Sequence, residues 1–198
     1  MFYYIKGLVT ELEPNFAVID CGGVGYGLSI STNTVSSLRL NESVRLYVAE
    51  SIGENNFDLY GFSTKSEKRC FEMLTAVSGI GPKAAMSILS YNTPEGLAVA
   101  IMNEDVKALT VAPGIGKKIA QRVILELKDK MSKENSDVQL QIPVTPRTAE
   151  NTMLNDAVAA LSVLGYSSVE INPVLAKLDT AGMSAEQIIK AVLKMMVK

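Results

Sequence analysis

The chain has 198 residues, 47% hydrophobic and 20% charged, with a net charge of −2, which supplies two or three small packed cores and excludes a disordered chain. It has no histidine and only two cysteines, Cys21 and Cys70; a thiolate–imidazole zinc site is excluded, the commonest general base is missing, and both thiols are expected to be buried and reduced. No apolar run reaches the roughly eighteen residues of a membrane span, and Met1 to Lys6 lacks the charged start and cleavage site of a secretory leader, so a cytoplasmic protein without metal or cofactor is expected.

Residues 1–62 read as β. Phe2 to Leu12, Phe16 to Cys21, Tyr26 to Ile30, Val44 to Glu50 and Phe57 to Phe62 are short β-branched or aromatic runs. Five runs at this spacing predict a small closed barrel of the OB type. Gly22 to Gly27 sits between two of them with no helix after it, which makes it a hairpin with a glycine-aided bend and not a phosphate loop. The segment carries three basic and seven acidic side chains, so its aromatic residues are assigned to core and interface instead of to a single-strand platform.

Residues 63–132 read as α. Thr64-Lys65-Ser66-Glu67 is a capping-box start, Thr93-Pro94-Glu95 opens a second region with a cap, a proline and an acid, and Asn103-Glu104-Asp105 starts another short helix. Two glycine turns interrupt the helical pattern: Ser78-Gly79-Ile80-Gly81-Pro82-Lys83 and, thirty-five residues on, Pro113-Gly114-Ile115-Gly116-Lys117-Lys118. Glycine takes positive φ and lets an anion approach its backbone N–H groups. The helix that follows adds unpaired first-turn N–H groups and the positive end of its dipole. The lysines add mobile charge, and the middle isoleucines, Ile80 and Ile115, anchor each turn between helices. Ten basic and seven acidic residues fall in this segment, so the positive excess coincides with the turns. Ile119, Val123 and Leu127 make an apolar stripe that leaves Lys118 and Arg122 together on another face.

Gly79-Ile80-Gly81-Pro82-Lys83-Ala84 also fits the loose dinucleotide pattern G-x-G-x-x-A. That site needs a strand before the glycines, and here the preceding residues have helical spacing. A Gly-rich turn can be purely structural, but two copies each followed by lysine favour a helix-hairpin-helix grip on nucleic-acid backbone. A base-excising enzyme built on the same motif would need a placed acid and a base-sized pocket; the only aspartate soon after Gly116 is Asp129, and no cysteine cluster exists for an iron–sulfur site.

Residues 133–150, with Pro143 and Pro146 among polar and charged residues, are expected to form a flexible linker of about 20–25 Å root-mean-square span. Residues 151–198 predict three helices: Asn151 to Leu164 closed by Gly165, Ser167 to about Leu178 with Pro173 either kinking or restarting it, and a last one opened by the capping box Ser184-Ala185-Glu186-Gln187. So small a module has a thin core, which suits protein docking better than a second DNA grip.

The order of these parts, with Leu59-Tyr60-Gly61-Phe62 ending the barrel, paired Gly-Ile-Gly turns and Leu164-Gly165-Tyr166 in the tail, resembles the RuvA family, which recognises four-way (Holliday) junctions in bacteria. The resemblance covers essentially the whole chain. It implies a multidomain α+β fold: a five-stranded OB-like barrel over 1–62, an all-α tandem helix-hairpin-helix domain over 63–132, the linker, and a three-helix (UBA-like) domain over 151–198. It further implies a non-catalytic homotetramer, single or as two stacked face to face, that holds junction DNA. A RuvB-type hexameric ATPase would dock on the tail and drive branch migration, and a RuvC-type resolvase is a further partner. The DNA-binding set would be Gly79, Ile80, Gly81, Lys83, Gly114, Ile115, Gly116, Lys117, Lys118 and Arg122. In this family adjacent acidic residues project at the junction centre; the matching pair here is Glu54-Asn55, so one charge of that pin is missing, with Glu50 or Asp58 as candidates to compensate. Leu161, Leu164, Tyr166 and Leu193 are the motor-docking candidates.

Overall fold

Residues 4–62 alternate inward and outward along five strands, and the inward set closes a barrel. A computed structural model describes residues 1–53, 56–136 and 149–196. The strands β1 (Tyr4–Glu13), β2 (Phe16–Asp20) and β3 (Gly25–Ile30) are followed by a short helix α1 (Thr32–Ser36), then β4 (Ser43–Ile52) and β5 (Phe57–Phe62). Their order around the barrel is β1-β2-β3-β5-β4, antiparallel except for the β3–β5 seam. Ala17 and Ile19, Leu28 and Ile30, and Leu46 and Val48 point inward and are buried, each larger side chain contributing about 1.5–3 kcal/mol. At the β2–β3 bend Gly22 and Gly23 take positive φ, as the glycine-aided hairpin requires.

Three features refine or correct the expectations. The interior of this narrow barrel is aliphatic, with Phe2 and Tyr26 packed partly buried against it; of the aromatic residues assigned to core or interface Tyr60 and Phe62 are buried, and Tyr3, Tyr4 and Phe57 are exposed. Cys21 is half-buried, its Sγ donating to the Lys6 carbonyl at 3.3 Å, while Cys70 is buried as expected. The connection 31–41 contains α1, capped by the Ser31 hydroxyl, which accepts from the Thr34 N–H.

The chain divides into two compact units, Met1–Thr93 with Val111–Ile115, and Pro94–Thr110 with Gly116–Lys198. In the first, α2 (Lys65–Thr75) and α3 (Pro82–Tyr91) stand against the barrel. Phe71 of α2 stacks on Tyr60 at 4.9 Å and meets Phe62 at 5.1 Å between ring centroids. Asn33 of α1 donates from Nδ2 to the carbonyls of Leu89 and Asn92, at 2.6 and 3.2 Å, and so satisfies the end of α3. The Thr64 cap forms, accepting from the Glu67 N–H at 3.1 Å. Its expected reciprocal half does not, because Glu67 turns inward. Thr34 Oγ1 donates to Glu67 Oε2 at 2.7 Å, Ser31 Oγ donates to Oε1, and Ser63 Oγ reaches Oε2 at 3.4 Å. A carboxylate only 2% exposed is thereby held by hydroxyls, and burial pushes its pKa up against their opposing effect.

The second unit holds α4 (Pro94–Met102), α5 (Val106–Thr110), α6 (Lys117–Ser136), α7 (Ala149–Val163), α8 (Ser168–Leu175) and α9 (Ala185–Met196). Leu97, Ala98, Ala100 and Ile101 of α4 are all buried, as a helix apolar on every side must be; α5, α6, α7 and α9 cover it. Gly165 closes α7 with φ 78°, and the Tyr166 N–H returns to the Leu161 carbonyl at 3.1 Å. The Ser184–Gln187 capping box is present. Pro173 lies inside α8, which runs through it unbroken. Most of the expected linker, residues 137–148, lies outside the described residues.

Candidate nucleic-acid interface

The first glycine turn joins α2 to α3. Gly79 has φ 85°, a left-handed conformation that few side chains tolerate, and it reverses the chain so that the Ile80 N–H bonds back to the Val77 carbonyl at 3.0 Å. The Ile80 side chain is only 5% exposed. Gly81 caps α3 with no side chain to occupy the helix end, and Pro82 follows at the first position. A Cβ built at Gly81 would meet nothing within 4 Å. Gly79, Gly81 and Lys83 are exposed or partly exposed.

The second turn repeats this geometry. Gly114 has φ 81°, the Ile115 N–H bonds to the Ala112 carbonyl at 3.1 Å, and Ile115 is 4% exposed. Open space surrounds the Cβ positions of both Gly114 and Gly116. At each turn the isoleucine amide and side chain are consumed in holding the bend. Among the described residues the amides of Gly79, Gly81, Gly114 and Gly116 have no acceptor. An anion arriving from solvent therefore meets main-chain donors at both turns. Ile80 and Ile115 act as anchors, in keeping with the packing expected of them, and present no side chain to a ligand.

The turns are tied together within the first unit. Ser87 of α3, one helical turn after Lys83, donates from Oγ to the Pro113 carbonyl at 2.8 Å. Sequence reasoning did not single out Ser87; its position four residues beyond Lys83 on the same helix face is the available signal.

The basic residues sort into two groups. Lys117, Lys118 and Arg122 lie exposed at the start of α6, with Arg122 Nε 4.0 Å from Glu126 Oε1; Val123 and Leu127 on the opposite stripe are buried, and Ile119 is half-buried. Lys65 and Lys68, which belong to the same positive excess, lie elsewhere. Lys68 sits 4.9 Å from the Tyr3 ring and 3.5 Å from Glu72, and Lys65 sits 5.9 Å from the Tyr47 ring. Lys128 pairs with Glu104 at 2.5 Å. The cations that directly follow the turns are Lys83, Lys117, Lys118 and Arg122, with Lys107 exposed on α5 just before the second turn.

Glu54 and Asn55 lie outside the described residues. Asp58 is exposed and its Oδ2 accepts from Asn56 Nδ2 at 2.8 Å, while Glu50 takes the N-terminal ammonium of Met1 at 3.5 Å. In the tail, Leu161, Leu164 and Leu193 are buried, whereas Tyr166 is not. The three leucines are packed among the described residues. Among the described residues the large apolar side chains exposed there are Met153, Val169 and Met195. Among the described residues no cluster of acidic, cysteine or histidine side chains has the arrangement of a metal site, and no helix is long and apolar enough to cross a membrane.

Three family profiles match the chain: RuvA N terminal domain over residues 1–61, SAM-like helix-hairpin-helix tandem over 71–129, and RuvA C-terminal domain over 152–197. Among curated proteins, relatives bearing the name Holliday junction branch migration complex subunit RuvA align end to end. The one from Ruminiclostridium cellulolyticum is 41% identical over 197 residues, covering 98% of this chain and 99% of the relative. That from Acetivibrio thermocellus is 41% identical over 197 residues, with 98% of each covered. That from Lactococcus lactis subsp. cremoris is 39% identical over 199 residues, with 100% of each covered.

Proposed function

The chain belongs to the RuvA family, and from that membership we propose that it binds four-way (Holliday) junction DNA as a non-catalytic scaffold in branch migration. The observation that carries the reading is the pair of glycine turns, alike at φ 85° and 81°, each with an anchored isoleucine and outward amides. Such turns hold sugar-phosphate backbone and read no base edges, so affinity is independent of sequence and falls with salt as counterions return.

The finer assignments follow from the same reading. Lys83, Lys117, Lys118 and Arg122 add charge beside the amides. The protein acts as a homotetramer in the cytoplasm, singly or as two stacked tetramers, so that four pairs of turns meet four duplex arms. The tail module, residues 151–198, docks a RuvB-type hexameric ATPase, which performs the hydrolysis, and a RuvC-type resolvase acts on the same junction. The domain limits 62/63, 132/133 and 150/151 belong to this proposal.

Retention of a synthetic four-way junction against a duplex of equal length tests the core of it. Tighter binding of the junction at every sequence tried is expected, and equal binding of the two would overturn the reading. Sizing the protein alone and with the junction reports the assembly.

A further inference from the structure

A cleft of about 390 Å³ lies within the first unit, between α3 and the β3–β5 side of the barrel, and Lys83 is part of its wall. Its size suits a small organic ligand. Asn15, Asp58 and Tyr60 line it with Ile30, Met86 and Ser87. Tyr60 is 5% exposed, and its hydroxyl makes no hydrogen bond to any described residue. Yet that oxygen is not among the sealed, partnerless polar atoms, so it is reachable from the cleft it lines. A buried phenol is normally paired, and the cleft is the side from which a partner, water or ligand, reaches it.

The chemistry of the walls defines that occupant. Met86 and Ile30 offer apolar surface to the faces of a flat ring. The Tyr60 hydroxyl and Asn15 amide supply donors and acceptors, and Asp58, oriented by Asn56 at 2.8 Å, supplies an acceptor. Lys83 at the rim suits a phosphate, and it belongs equally to the first glycine turn. Heteroaromatic ring, mixed hydrogen-bonding edge and phosphate together describe a nucleotide.

We propose that the cleft receives one unstacked nucleotide from the crossover end of the strand whose duplex arm is held at the first glycine turn. The proposal rests on the reading of this protein as a junction binder. Bases in a duplex arm are paired and stacked and cannot enter, whereas a base at the crossover has lost part of that restraint and costs least to extrude. The cleft would thus select the branch point over the arms, which backbone contacts alone do not do.

Four-way junctions carrying 4-thiothymidine at the crossover or in mid-arm, irradiated in complex with the full protein, test this. Crossover probes are expected to crosslink to peptides containing Tyr60 or Met86, and mid-arm probes to leave those peptides unlabelled. Tyr60→Phe keeps the ring stacked on Phe71 and is expected to lower the crossover yield about fivefold, the worth of one hydrogen bond, with junction retention in gels unchanged. Asn15→Ala, in an exposed turn, provides a second variant with the same expectation. Retained junctions whose crossover probes leave Tyr60 and Met86 unlabelled would overturn the proposal while sparing the scaffold reading. Failure to retain junctions over duplex would sink both. Labelling of the same peptides by free 4-thiothymidine monophosphate, undiminished by added junction, would assign the cleft to free nucleotides and overturn the strand assignment.

Discussion

Ser87 Oγ and the Pro113 carbonyl lie 2.8 Å apart, and this hydrogen bond joins the helix that follows the first glycine turn to the residue that opens the second. Two bends that grip one duplex arm, as proposed, must keep a fixed spacing to meet the same backbone, and Ser87 is a short, stiff means of fixing it. Ser87→Ala is expected to cost about 1 kcal/mol of stability. Amide exchange at residues 114–116 should quicken in the variant, and junction binding should weaken by a few-fold; unchanged exchange would show that the tie does not set the turn.

Gly114 tests main chain against side chain. Its φ of 81° strains any substituted residue, although a Cβ there meets nothing within 4 Å. Gly114→Val is therefore expected to lose about 1–2 kcal/mol to backbone strain and to shade the neighbouring amides. Lys117→Ala removes one exposed charge, worth about 1 kcal/mol or less. Titrations of the two variants with labelled junction should rank the glycine change as the more damaging, and equal losses would mean the turn is only structural.

The basic start of α6 should be visible in salt dependence. Replacing Lys118 and Arg122 together by glutamate leaves up to two phosphates without a neutralising side chain. The slope of log affinity against log salt should shrink by about 0.9 for each such phosphate, uniformly across junction sequences. A double variant with the wild-type slope would place the DNA elsewhere.

Glu67 gives a pH prediction. Its pKa is raised above 4.5, first by burial, with the hydroxyls of Ser31 and Thr34 opposing. The folded protein thus binds this proton more tightly than the unfolded chain does. The associated stability is fully present below the unfolded value and is lost as pH rises through the folded one. Glu67→Gln, neutral throughout, should show no such decline, so urea midpoints of variant and wild type should diverge in the variant's favour as pH increases from the ordinary carboxylate range. Glu67→Ala should instead destabilise by about 2–3 kcal/mol in the acidic range, because it leaves the fully buried Ser31 and Thr34 hydroxyls without their acceptor, and the deficit should narrow as pH rises and the wild type declines.

The parts of the fold that the sequence makes legible are those governed by local chemistry. Gly79, Gly114 and Gly165 sit where only positive φ serves, Thr64 and Ser184 cap as their side chains dictate, and the alternating strands close the barrel. What escapes is chosen by partners far along the chain. Glu67 three residues after Thr64 has the spacing of a reciprocal cap, but hydroxyls thirty-three and thirty-six positions away offer a buried site and win it. Leu161, Leu164 and Leu193 have the same spacing whether they face a core or a partner, and helical period alone does not separate the two. Lys65 and Lys68 add to the charge of the glycine-turn segment, yet tyrosines of the barrel take them. Ser87 and Tyr60 gain their significance only once α3 is laid beside the second turn and the barrel wall.

Because β1 pairs with β4 as well as with β2, the five strands form a ring, closed at the β3–β5 seam by the pairs Ser29 with Tyr60 and Ile30 with Gly61. Tyr3, Leu8 and Ile52 stand outward from it, exposed. The outer surface is therefore adjustable one residue at a time, while the hydrogen-bonded hoop inside stays as it is.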